Sequence, residues 1–101
     1  MSADDIDMQL HAPARLQIAA LLAKVSEMEF AKLRELVKVS DSVLSKHLAA
    51  LSDAGYVRLR KAAEGGRQRT WASLTGGGAR ALARHVAALR AIVAHLPVAA
   101  E

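Results

Sequence analysis

The chain has no cysteine in its 101 residues. That excludes disulfides and thiolate metal sites. Aromatic residues are only 3% of the sequence: one phenylalanine, one tyrosine and one tryptophan. No core can be assembled around stacked rings. The apolar fraction is nevertheless 52%, and alanine dominates it. A thin, helix-rich core follows, with some apolar surface left to be buried between subunits. No run of residues approaches the roughly 20 apolar positions that a membrane span needs. The first seven residues are acidic and lack the apolar stretch of a secretory leader. A cytoplasmic protein with no membrane partner is the expectation. The length suits one domain over residues 1–101, with a single modest core.

Charge is scarce as a net quantity and concentrated in place. The formal net charge is +4. Arg58, Arg60, Lys61, Arg67 and Arg69 stand against a single anion, Glu64, so residues 58–69 carry as much net charge as the whole chain. A local basic cluster on a neutral body points to a polyanion contact.

Residues 30–55 organise the rest. Phe30, Leu33, Leu36 and Val37 fall on one helical face, and Leu44, Leu48 and Leu51 on another. Between the two runs, Ser40 is placed to cap the second helix and Asp41 to favour its positive end. Gly55 supplies the stop. Two short helices joined by a turn make a helix-turn-helix candidate. At about 100° per residue, Ser42, Ser45, Lys46 and Ala49 point away from the leucine stripe, with Val43 and His47 on its flanks. Such a face is narrow enough to enter a major groove. The alternative is a plain solvated face.

Upstream, Pro13 fits the first turn of a helix over about residues 14–25, within an N-terminal helical segment 10–25. A short helix near Asp5 would let Ile6 and Leu10 pack. Residues 1–9 read as polar and frayed at their start. Ser26 and Glu29 have capping-box spacing for the next helix. Downstream, residues 56–74 read as a β-hairpin. Val57 and Leu59 alternate with arginines, residues 62–66 form a flexible turn, and Ala72 and Leu74 return to the core side. Trp71 and Tyr56 are expected to pack. Thr75 caps a last helix whose start is loosened by Gly76, Gly77 and Gly78, each costing about 1 kcal/mol relative to alanine. That helix spans about residues 78–96, with Pro97 as its stop and residues 98–101 as a tail. Leu82, Val86, Leu89, Val93 and Leu96 repeat at 4, 3, 4, 3, a two-heptad seam suited to dimerisation or to packing on the helix's own core.

The order of elements and several stretches resemble the one-domain ArsR/MarR-like bacterial regulators. The carrying segments are residues 11–16, 33–37, 39–48, 51–57 and 67–75. Among them Ser45-Lys46-His47-Leu48, then Leu51 and Ala54-Gly55-Tyr56-Val57, are similar to that family's passage from recognition helix to wing. The resemblance implies a mainly α fold with a small β-hairpin: a winged helix-turn-helix with a long C-terminal dimerisation helix. It implies a homodimer bound to double-stranded DNA and regulating transcription. Ser40, Asp41, Ser42, Ser45, Lys46 and His47 would contact the major groove and phosphates, and Lys61, Arg67 and Arg69 would form the wing contacts. Leu82, Val86, Leu89, Val93 and Leu96 would join the subunits. The triple glycine departs from the family, where proline or a larger residue usually follows the threonine.

Other chemistry finds little support. There is no nucleophile-base-orienter set and no pair of carboxylates in an apolar setting, so no enzyme is expected. The triple glycine lacks the Lys-Ser/Thr and parallel sheet of a phosphate loop. His85 and His95 are separated on their helix by about 80° and about 15 Å. No further His, Asp, Glu or Cys lies within four residues of His85. The histidines are expected on the helix surface, with no metal and no cofactor. A metal-responsive repressor and a winged helix that binds protein instead of DNA remain as alternatives. No effector is legible.

Overall fold

A computed structural model describes residues 5–97. Expectations for residues 1–4 and 98–101 lie outside it. The elements are α1 (Met8–His11), α2 (Pro13–Leu22), β1 (Met28–Glu29), α3 (Phe30–Val37), α4 (Asp41–Asp53), β2 (Val57–Glu64), β3 (Arg67–Leu74) and α5 (Gly76–Ala94). The three strands form one antiparallel sheet in the order β1-β3-β2. The fold is the expected winged helix, mainly helical, with a small sheet and a long last helix.

Local chemistry explains most boundaries. Asp7 caps α1 by accepting the Gln9 N–H at 2.9 Å. Pro13 opens α2 at a position where its missing N–H costs nothing. Ser40 Oγ accepts the Val43 N–H at 3.2 Å and caps α4, with Asp41 in the first turn. Gly55 adopts φ +80° and turns the chain into β2. The link between α3 and α4 instead places Lys38 at φ 62°, the only non-glycine residue with positive φ among the described residues.

The core joins Leu10, Ile18, Ala19, Leu22, Leu33, Val37, Leu44, Leu48, Leu51, Val57, Ala72 and Ala81. Burying a leucine side chain stabilises by about 1.5–3 kcal/mol. The leucine stripe of α4, shared with α2 and β2, therefore anchors the helix-turn-helix to the body.

Several expectations need correction. Met28 and Glu29 form a strand, pairing with Ala72 and Trp71. Glu29 leads α3 without a side-chain cap bond, so the Ser26–Glu29 box does not form. That extra strand makes β3 the central strand and leaves β2 at the edge. Leu59 shares a face with Val57 and Ala72, but on the edge strand beyond the helices it is 39% exposed. Leu36 is also exposed, because the two-turn α3 buries only Leu33 and Val37. The second helix ends at Leu22, and Val25 is exposed. Both hairpin strands run to the tip. Gly65 and Gly66, at φ 58° and 78°, make a two-residue turn between the paired Glu64 and Arg67. Two successive positive φ angles match the twist of the strands.

The last helix differs most. It begins at Gly76, with Thr75 Oγ1 accepting the Gly78 N–H at 2.9 Å and donating to the Gly55 carbonyl at 2.6 Å. It ends at Ala94, short of Leu96. Its buried residues are Gly78, Ala81, His85 and Ala88. Glycine and alanine at three of these four positions let α5 lie close to its own domain. Leu82, Val86 and Leu89 are half-buried beside them, while Val93 is 68% and Leu96 59% exposed. His85 is wholly buried, contrary to the expected surface position. Its Nδ1 accepts the Asp7 N–H at 3.0 Å, and its ring meets His11 edge-on at 5.7 Å. These partners come from the N-terminal segment, 78 residues away in sequence in the case of Asp7.

Candidate nucleic-acid interface

With the leucines of α4 turned inward, Ser42, Ser45, Lys46 and Ala49 are exposed. None of these carries a bulky side chain except the flexible lysine. Val43 is exposed on one flank and His47 is half-buried on the other. Ser40 is occupied as the cap, and its Oγ also lies 3.3 Å from that of Ser42. Asp41 accepts from Arg34 of α3 at 2.8 Å. This pair neutralises a carboxylate that would otherwise repel a phosphate. Arg34 lies outside the residues that the sequence points to. Its i+7 spacing to Asp41 crosses a turn, so no helical periodicity marks it.

His47 is held from outside its helix. The Arg15 Nε–H of α2 donates to His47 Nδ1 at 3.1 Å, and Arg15 Nη1 donates to Gln9 Oε1 at 2.9 Å. Burial, and then the charge of Arg15, lower the His47 pKa below the ordinary value. His47 is therefore a neutral imidazole at neutral pH.

The hairpin sorts its cations by strand register. Arg58, Arg60, Arg67 and Arg69 share one face with Trp71 and Glu29, whereas Lys61 lies on the other face with Val57 and Leu59. Arg60 makes a two-point contact with Glu27, at 2.6 and 3.2 Å, and stacks over Trp71 at 5.7 Å. Arg69 donates to Glu29 at 2.6 Å. Hydrogen bonding to these carboxylates raises both arginines' pKa values further. Arg60 and Arg69 thus tie the hairpin to the segment around β1. Arg58, Lys61 and Arg67 are exposed and in no ion pair among the described residues. Of the three wing residues singled out from sequence, Lys61 and Arg67 are unengaged and Arg69 is bound within the protein.

Among the described residues, no three His, Cys, Asp or Glu side chains come together so as to hold a metal ion. No helix there is long and apolar enough to cross a membrane.

Comparison with known proteins agrees with this geometry. No curated protein matches the sequence. The fold is similar to that of a transcriptional regulator homologue from Pyrococcus horikoshii OT3, with a TM-score of 0.83 and 24% identity over 91% of each chain. It is similar to HlyU from Vibrio cholerae, with a TM-score of 0.63 and 28% identity over 79% of this chain and 84% of that one. The zinc-responsive MarR family member ZitR of Lactococcus lactis shares the fold at a TM-score of 0.61 and 22% identity, over 81% of this chain and 56% of its own. The family profile described as a winged helix DNA-binding domain matches residues 14–93, from α2 to the last turn of α5. That match spans the helix-turn-helix, the hairpin and most of the last helix, and the chain belongs to the winged helix DNA-binding domain family.

Proposed function

We propose that this protein is a sequence-specific transcriptional regulator, cytoplasmic and associated with the nucleoid, that binds double-stranded DNA as a homodimer. The observation that carries this reading is the outward face of α4. Ser42, Ser45, Lys46 and Ala49 are exposed together on a helix whose opposite face is locked into the core. Small and hydrogen-bonding side chains on a rigid helix can approach base edges in a major groove. Lys46, Arg58, Lys61 and Arg67 add positive charge for the backbone, so affinity falls as salt rises. Asp41, held by Arg34, can accept from a cytosine amino group. Ser40 acts by fixing the start of the helix.

Dimerisation would use the exposed end of the α5 seam, with Val93 and Leu96 at its centre and Leu82, Val86 and Leu89 at its half-buried base. A two-fold pair presents two α4 helices to successive major grooves. Its site is a pseudo-palindrome with half-sites about 34–36 Å apart.

The test is selection of bound fragments from genomic DNA, followed by binding titrations over a salt series. An enriched pseudo-palindrome, altered by Ser45→Ala and Lys46→Ala, is the expected result. Equal binding to every duplex would remove the sequence-reading role. No binding at any salt would favour a protein-binding winged helix.

A further inference from the structure

The hydrogen bond between Arg15 and His47 fixes where a proton sits. Arginine has five N–H donors, no acceptor, and stays charged in proteins. The hydrogen between Arg15 Nε and His47 Nδ1 therefore belongs to the arginine, and Nδ1 presents its lone pair. A neutral imidazole with a bare Nδ1 must carry its hydrogen on Nε2. Nε2 has no hydrogen-bond partner among the described residues, and it is not among their buried unpartnered atoms. It is a fixed, solvent-facing N–H donor. Gln9 steadies the other end of the guanidinium.

Position narrows the acceptor. His47 lies about 60° from the leucine stripe, well round from the outermost residues Ser42 and Lys46. A side chain on the flank of a helix seated in a groove faces the groove wall, which is sugar and phosphate.

We propose that Arg15 is a positioning residue for DNA binding: it holds His47 as the Nε2–H tautomer, and that N–H donates to a backbone phosphate beside α4. This rests on the reading of α4 as the groove helix. The lowered pKa of His47 supports it, since a neutral donor needs no acidic solution to be in place. The contact has a distinguishing signature. An uncharged donor strengthens binding without releasing an extra counterion, so its loss leaves the salt slope unchanged.

The test combines nitrogen NMR of histidine-labelled protein with binding to a mixed-sequence duplex three helical turns long. Wild-type His47 should show a protonated Nε2 and a bare Nδ1. Arg15→Met removes the donor and should give a mixed tautomer and a higher His47 pKa. His47→Leu should weaken binding about tenfold, as for one hydrogen bond to a charged acceptor. Arg15→Met leaves part of the imidazole in the Nε2–H form and should weaken binding about two- to threefold. Both should leave the salt slope unchanged. His47→Gln places an amide N–H at the Nε2 position and should keep affinity within about twofold. In that background Arg15→Met should cost nothing more. Arg15→Gln sets an amide N–H where the Nε–H stood and should restore the tautomer without the charge. Melting temperatures of these variants, compared with wild type, separate a lost contact from a lost fold.

A proton on Nδ1 in the wild type would overturn the proposal. So would a salt slope reduced by about one phosphate in Arg15→Met, which marks direct contact by the arginine. Losses that simply add would do the same. Failure to bind any duplex would overturn the DNA reading as well. Full binding by Arg15→Met would overturn only the role of Arg15.

Discussion

Gly78 shows how one hydrogen atom can set a helix in place. A Cβ there would drive into the Tyr56 carbonyl oxygen and crowd Leu74, whereas one at Gly77 would meet only ordinary contacts. Alanine normally favours a helix over glycine by about 1 kcal/mol. Gly77→Ala should therefore stabilise by a few tenths to about 1 kcal/mol. Gly78→Ala should destabilise by about 1–3 kcal/mol through overpacking. Chemical denaturation of both variants checks the opposite signs. His85 makes a second prediction. Burial, and then His11, lower its pKa, with Asp7 opposing. The unfolded state takes up its proton near the ordinary value of about 6.5. The folded state resists protonation until a lower pH. The stabilisation is thus complete above about pH 6.5 and is lost as pH falls through the folded-state value. Protonation would also oppose the Asp7 N–H with another donor. Melting temperature should fall from pH 7.5 to 5.5, and the fall should be smaller in His85→Asn.

Among the elements, the hairpin contains arginines with two kinds of work. Arg67 is unengaged near the tip, whereas Arg69 is bonded to Glu29 across the sheet. Arg67→Gln, which sets no second carboxylate opposite Glu64, should leave the melting temperature within a few degrees, as surface substitutions do, and weaken DNA binding with a flatter salt dependence. Arg69→Glu should lower the melting temperature, because two carboxylates would then face each other beside β1. A Glu29→Arg change in the Arg69→Glu protein should recover part of that loss. If the two single arginine variants have the same thermal behaviour, the division of labour is wrong. The hairpin's period-two pattern and cationic tip were readable in sequence. The partners of Arg60 and Arg69 were not, because a two-residue strand has no period to read.

At the scale of the whole molecule, the first part of α5 packs on its own domain, whereas Val93 near its end and Leu96 beyond it face outward. Val93 and Leu96 bury little within one chain. Val93→Asp with Leu96→Asp should leave the isolated fold intact yet separate a homodimer into single chains. Sedimentation should show half the wild-type mass, and affinity for a full palindrome should fall towards that for a half-site. A variant that remains paired would place the subunit contact elsewhere.

Sequence alone determined the order of the main helices and the hairpin, the caps at Ser40 and Thr75, the stop at Gly55 and the leucine stripe of α4. Each depends on residues within a few positions of one another, where spacing and backbone preference act directly. Only the tertiary structure decided that β1 joins the sheet, that Leu59 lies beyond the core, and that Arg15 grips His47. It alone buried His85 against Asp7 and His11. Those outcomes depend on contacts between segments tens of residues apart, and no local period records them.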